Sequence, residues 1–372
     1  MYAIDEVAND AAAFRQAVQT GTPYKPLYVK IKLVWTCNLR CGMCNHWRSR
    51  RDAPLDLPQW QQIVTELVAW GCRKIHITGG EPTLYPDLPA LIEYMTNRGL
   101  RVNMTTNGTL LTKERARALC AAGLSNVNIS LDSPVRQLHD RVRGVKGAWK
   151  KTVRGATYLQ RYLKKGELRI NTVVGRRNYA SLAPMPDFAA DLGAAFLNLI
   201  PLDDHTGEMQ RLHKEQIQRY NQEIAPQLAE RGLALGVLRQ EQDAYPFGVG
   251  KTAVRHSKNG LYAQGYYERR PCLAPWTHTL IDHLGRVTVC CMLRDGPTLG
   301  DLRQQSFTDI WQGAAYAALR AQTQPLFRAC HRCDDFLQEN RQLAAILDGV
   351  QLKSAKVSSS SNSSAVTALK AS

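Results

Sequence analysis

Between residues 28 and 200 the chain alternates short apolar runs with amphipathic stretches, and few folds accept that order. Tyr28–Trp35 reads as a strand, and Pro58–Trp70 as a helix with Ile63, Leu67 and Trp70 on one face. Lys74–Thr78 (strand), Leu88–Arg98 (helix), Arg101–Thr106 (strand) and Lys113–Ala122 (helix) follow. The series closes with strands at Asn126–Leu131, Arg169–Val174 and Phe196–Ile200 and helices near Trp149–Lys164 and Leu182–Leu192. Six strands with helical crossovers predict an α/β fold with a parallel sheet covered by helices. Curled, it becomes an open, partial (β/α)6 barrel whose chemistry gathers at the C-terminal strand ends.

The polar motifs fall at those ends. Cys37, Cys41 and Cys44, spaced C-x-x-x-C-x-x-C in VWTCNLRCGMC, follow the first strand. Gly79–Gly80–Glu81–Pro82 follows the second, Thr106–Asn107–Gly108 the third, and Ser130–Leu131–Asp132 the fourth. Three thiolates suit an iron–sulfur cluster, which ordinarily takes four, and so leave one iron open to a small molecule. The same spacing also suits zinc, with His46 as a fourth ligand, although zinc predicts a small knuckle rather than a long α/β series.

A second set, Cys272, Cys290, Cys330 and Cys333, lies near the C-terminus. Gly285–Cys290 reads as a hairpin approaching a ligand, and TLGDLRQQSFTDIW (298–311) as a loop and a short helix. In isolation these four cysteines suit zinc or a cluster. Cys72 and Cys120 lie near helix ends and read as small apolar residues, whereas Cys291 follows a ligand candidate.

Composition narrows the classes. In 372 residues, 44% hydrophobic residues supply a sizeable core. No apolar run reaches a membrane span, and the acidic N-terminus does not read as a signal peptide. Ten cysteines without a secretion signal point to metal ligation in a reducing, cytoplasmic compartment. The net charge of +16 is spread over short groups such as Lys164–Lys165 and Arg269–Arg270, so nucleic acid is not the expected partner.

The rim motifs resemble the radical S-adenosylmethionine (SAM) superfamily. That resemblance makes Cys37, Cys41 and Cys44 the ligands of a SAM-binding 4Fe–4S cluster. It places Gly79, Gly80, Glu81 and Pro82 at the methionine amino group, and Asn107, Ser130 and Arg143 at the ribose or carboxylate. Met43 stands where the family often has an aromatic residue against adenine. PCLAPW, GRVTVCC, LGDL and FTDIW resemble the appended SPASM module, here of the single-cluster "twitch" type. Cys272, Cys290, Cys330 and Cys333 then hold one auxiliary 4Fe–4S cluster that accepts an electron or supports the fold. By the same resemblance Cys291 becomes a candidate hydrogen-atom donor.

The expected organisation is an N-terminal extension (1–27), a barrel (28–210), a helical and irregular bridge (211–270), the cluster module (271–350) and a disordered tail (351–372). A long helix is expected over 212–232. The resemblance implies reductive cleavage of SAM, driven by an external flavodoxin- or ferredoxin-type donor, and hydrogen abstraction from a substrate. Asn171, Asp203, Asp204, His205 and Glu208 are its candidate contacts. The favoured substrate is a small polar metabolite (sugar, aminocyclitol or nucleotide-like) that is oxidised or epimerised, because about 27 residues before the first strand leave little room for a leader-peptide-binding domain. The alternative is maturation of a ribosomally made peptide by cross-linking, thioether formation or epimerisation. A zinc-binding, nucleic-acid-associated protein is the distant one.

Overall fold

A computed structural model describes residues 4–48, 53–204, 206, 210–293, 296–322 and 327–349. The expected tail, His205 and Glu208 lie outside the described residues. Two helices, α1 (Ile4–Asn9) and α2 (Ala11–Thr20), precede strand β1 (Tyr28–Lys32). Then β2 (Lys74–Thr78), β3 (Arg101–Thr106), β4 (Val127–Ser130), β5 (Leu168–Val174) and β6 (Phe196–Pro201) pair in sequence order, all parallel. The crossovers carry α3 (Leu57–Ala69), α4 (Leu88–Thr96), α5 (Lys113–Ala121), α6 (Arg136–Arg143), α7 (Ala148–Tyr162) and α8 (Met185–Asp191).

Local chemistry sets the boundaries. Asp56 caps α3 by accepting from Gln59 N, and Gln59 returns the bond to Asp56 N; Pro58 costs nothing there, because the first turn has no use for its missing donor. Trp60, Ile63, Val64 and Leu67 bury against the sheet, each side chain contributing about 1.5–3 kcal/mol. Trp70, expected on that face, caps the helix instead and donates through Nε1 to Thr308. The strand expected to reach Trp35 ends at Lys32, since residues 33–36 turn to bond the loop after β2.

Two features appear beyond residue 210 that the sequence pattern does not show. The expected long helix runs without interruption over 214–234 but is not uniform: α9 (Lys214–Arg219) passes through a π-helical turn, Tyr220–Ile224, into α10 (Ala225–Ala234). Pro226 has no N–H to donate into the preceding turn, and the wider turn absorbs that loss. After α11 (Gly250–Lys258) and α12 (Ala274–Thr277), the C-terminal region extends the sheet of the barrel. Strand β7 (His278–Ile281) pairs in parallel with β1, and β8 (Arg286–Thr288) and β9 (Gly300–Asp301) continue antiparallel. One nine-stranded sheet, β6-β5-β4-β3-β2-β1-β7-β8-β9, therefore joins both cysteine regions. Helices α13 (Phe307–Gln312), α14 (Ala314–Arg320) and α15 (Leu337–Leu347) complete the fold, and one hydrophobic core runs through both regions.

Candidate active site

Polar residues at every second strand position build a chamber of about 420 Å³ inside the curve of β1–β6. Lys30 comes from β1, Lys74 and His76 from β2, and Asn103 and Thr105 from β3; Asn128 comes from β4, Arg169 and Asn171 from β5, and Asn198 from β6. The intervening residues of β5, Leu168, Ile170 and Val174, are buried apolar side chains on the opposite face. Since six successive strands line one cavity, the sheet curls as the strand pattern predicts.

Above the chamber, Cys37, Cys41 and Cys44 gather in one patch with Leu39, Met43, Val145 and Ala148. Burial pushes the Cys37 thiol up to about 12 and also raises Cys41, whose rise Arg143 moderates. Bare thiolates at Cys37 and Cys41 are costly, and with Cys44 beside them the set suits a cationic metal centre. Donors already face them: Asn107 Nδ2 lies 3.9 Å from Cys37 Sγ, and Arg143 Nη1 3.9 Å from Cys41 Sγ. Among the described residues no three His, Cys, Asp or Glu side chains converge on a single-ion site. His46, the alternative zinc ligand, stands with Nδ1 3.2 Å from Cys44 Sγ and its ring 4.4 Å from that of Trp35.

The GGEP motif joins the second loop to the first. A Cβ on Gly79 or Gly80 would run into the carbonyls of Val34 or of Trp35 and Thr36, so these glycines let the second loop approach the cysteine loop itself. Gly80 N bonds Val34 O at 2.8 Å, and Glu81 N bonds Thr36 O at 2.9 Å. Glu81 is buried and accepts from Thr83, Thr106 and Asn107 N, while Pro82 opens a short 3-10 turn. Arg143 is held by Asp132 through Nη2–Oδ1 (2.9 Å) and Nε–Oδ2 (2.6 Å), which orders the loop and leaves Nη1 facing the cysteine site. Ser130 ends β4 half-buried, opposite Asn171.

The second set also assembles. Cys272, Cys290, Cys330 and Cys333 line one small cavity with Tyr267, Met292 and Phe336. Tyr267 OH lies 3.8 Å from Cys333 Sγ and Asn340 Nδ2 3.9 Å from Cys272 Sγ. Burial raises Cys272 to about 12 and holds Cys290 and Cys333 well above the usual thiol range. Four sulfurs with donors around them fit a fully ligated cluster.

Cys291 points away from this site and lines both the chamber and a neighbouring cavity of about 560 Å³ with Met43, Cys44 and His46. Its thiol donates to Asp335 Oδ2 at 3.2 Å and lies 3.5 Å from Lys30 Nζ, which pairs with the same carboxylate. Burial alone would raise Asp335, but Lys30 and Cys291 pull it down to about 2. Of the expected substrate contacts, Asn171 lines the chamber. Asp203 and Asp204 follow β6 outside both cavities, with Asp203 facing Arg332 at 3.9 Å. Lys30, His76, Asn103, Thr105, Asn128, Asn198 and Asp335 were missed, although polar residues at period two inside apolar strands were visible in the sequence.

Comparison with known proteins agrees with this geometry. Residues 33–188 match the radical SAM superfamily, and residues 272–334 match the SPASM iron–sulfur cluster-binding domain. The chain is 27% identical to an AdoMet-dependent heme synthase of Methanosarcina barkeri, over 83% of this chain and 88% of the relative. It is 26% identical to a PqqA peptide cyclase of Methylobacterium nodulans, over 85% of this chain and 80% of the relative. SuiB of Streptococcus suis, solved with its precursor peptide SuiA, shares the fold at TM-score 0.62 and 19% identity, covering 84% of this chain and 70% of SuiB. The chain thus carries a radical SAM domain over residues 33–188 and a SPASM iron–sulfur cluster-binding domain over residues 272–334, with S-adenosylmethionine and iron–sulfur clusters as the matching cofactors.

Proposed function

We propose that the protein modifies a peptide, attacking a C–H bond of a residue held in the barrel chamber. The observation that carries this reading is the amide wall. Asn103, Asn128, Asn171 and Asn198 stand on four successive strands, and each side-chain amide both donates and accepts, as peptide groups require. The PqqA peptide cyclase match, which spans most of both chains, supports a peptide over the small metabolite favoured from the sequence.

When bound, SAM and the three-cysteine cluster supply a hydrogen-abstracting radical. The protein's own residues do the rest. Cys37, Cys41 and Cys44 hold the cluster, Asn107 and Arg143 present donors to its sulfurs, and Met43 lines the adjoining cavity. The six strands exclude water and fix the target, since such a radical attacks whatever lies nearest. Gly79, Gly80, Glu81 and Pro82 set a loop that would receive the cofactor's methionine end, and Ser130 would contact its ribose or carboxylate. Cys291, hydrogen-bonded on the chamber wall, returns a hydrogen atom where the outcome is epimerisation. The closed four-cysteine site suits electron transfer where the outcome is oxidation. An external flavodoxin- or ferredoxin-type donor supplies the starting electron.

The test is anaerobic reconstitution with SAM and reductant against a peptide pool and a small-metabolite pool, following 5′-deoxyadenosine and product mass. Deoxyadenosine formed together with a mass-shifted peptide is expected; strict dependence on a small metabolite overturns the reading. A second reading, a carboxylate-bearing heme-type substrate, is favoured by Lys30, Lys32, Lys74 and Arg169 on the wall and by the Methanosarcina relative. The same assay with iron tetrapyrroles decides between them.

A further inference from the structure

Away from the chamber, a groove of about 690 Å³ opens on the bridging segment between α9, the π turn and α11. Lys214, Lys251, Arg255 and Lys258 line it with Tyr245 and Val249, and no described lining residue is acidic. The four cations are exposed, and none takes part in the ion pairs of the described residues. Val249 is 65% exposed, far above the 1% of neighbouring Phe247. It is lifted outward between Gly248 and Gly250, whose φ angles of +69° and +85° suit glycine alone. Asn221, from the π turn, clamps this loop by donating to Gly248 O at 2.8 Å. Val249 also leaves the first turn of α11 without a side-chain cap, so its N–H groups favour an anion. Single-turn π segments often mark functional positions.

We infer that this groove docks an acidic, apolar-spaced stretch of the peptide substrate, outside the residue that is modified. Carboxylates face the four cations, and an apolar side chain covers Val249 and Tyr245. The occupant's identity rests on the peptide reading of the chamber, but docking is measurable without SAM or reductant. Loss of turnover with docking intact therefore removes the chamber reading alone.

The experiment uses reconstituted full-length protein and fluorescein-labelled peptides built on a Glu-Glu-Leu repeat, with Gln-Gln-Leu and Glu-Glu-Ser repeats as comparisons. Anisotropy titration is expected to show the first binding about tenfold tighter than the second and about threefold tighter than the third. Lys251→Glu with Lys258→Glu is expected to weaken binding about tenfold. Lys164→Glu with Lys165→Glu, which changes net charge equally on exposed residues after α7, is expected to change it less than about twofold. Equal loss in both pairs, equal binding of the neutral probe, or displacement of the probe by a flavodoxin overturns the assignment. If the reversal disturbs folding, Val249→Ser with Lys258→Gln carries the same expectation at about threefold.

Discussion

The two cysteine sites are built in opposite ways. The three-cysteine site rests on a loop, over a small apolar cluster of its own around Leu39, Cys41 and Ala148. Backbone contacts and one ion pair tie it down: Arg40 N to Arg143 O, Gly80 N to Val34 O, and Arg143 to Asp132. The four-cysteine site belongs to the main core, which packs Cys272, Cys290, Cys330 and Cys333 among its other apolar residues. The first centre is carried on a loop tied by polar contacts to neighbouring loops, whereas the second sits within the apolar core that holds the fold. Chemistry and stability should therefore separate when the two are damaged.

Replacing Cys37, Cys41 and Cys44 by alanine should cost more than about 10³-fold in SAM cleavage and about half of roughly eight irons, with little change in melting temperature. Replacing Cys272, Cys290, Cys330 and Cys333 should leave cleavage to 5′-deoxyadenosine within about tenfold while lowering the melting temperature. Iron content, deoxyadenosine rate and calorimetry check both. Equal stability loss in the two variants would break the contrast.

The ion pairs behind the sites sharpen it. Asp132 is fully buried, so Arg143→Met leaves an unpaired buried carboxylate and should cost about 3–5 kcal/mol in denaturant unfolding, with the first cluster lost. Asp132→Asn in the same chain should recover part of it. Lys30→Met removes the partner of Asp335, whose side chain is 34% exposed to the chamber, and should cost less, about 1–3 kcal/mol.

Acid should act on the seam between the regions. His278 opens β7, where that strand joins β1, and its buried ring donates through Nδ1 to Tyr28 O at 2.8 Å. Burial, then the nearby Lys30 charge, against smaller opposing pulls from Asp335 and the bond to Tyr28, lower its pKa to about 3 from an ordinary 6.5. Below pH 6.5 the unfolded chain binds a proton that the folded chain refuses, so stability falls as pH falls toward about 3. From pH 6.5 to 5 this histidine should account for about 2 kcal/mol. His278→Asn, which keeps a donor near Nδ1, should show a flatter denaturation midpoint over that range.

How legible these features were follows from sequence distance. The six barrel strands were readable because their period of two, against 3.6 in the crossovers, is a local signal, and the cysteines because both sets carry close spacings. Lys30, Cys291 and Asp335 were not readable as a group. Residue 30 is separated by 261 positions from 291 and by 305 from 335, and only the pairing of β7 with β1 brings them together. The ion pair of Arg143 was not readable either, since nothing in RVRG announces that Asp132, eleven residues earlier, takes the Nε–Nη2 edge of its guanidinium. The joining of the C-terminal strands to the barrel sheet was hidden for the same reason: a parallel partner far along the chain leaves no mark on local periodicity.

Two glycines give the smallest expected difference. Gly80 packs its Cα against the carbonyls of Trp35 and Thr36, so Gly80→Ala forces the cysteine loop away and should cost about 1–3 kcal/mol together with iron from the first site. Gly285, in the β7–β8 turn leading to Cys290, has φ +84° but meets Leu55, Leu302 and Asp301 only at 3.5–3.7 Å. Gly285→Ala should therefore cost only its left-handed backbone, about 1–2 kcal/mol, and leave both iron complements intact. Urea midpoints with iron analysis check the pair. If Gly285→Ala lost iron, the second site would depend on a single turn as the first does, and its place in the core would not be what secures it.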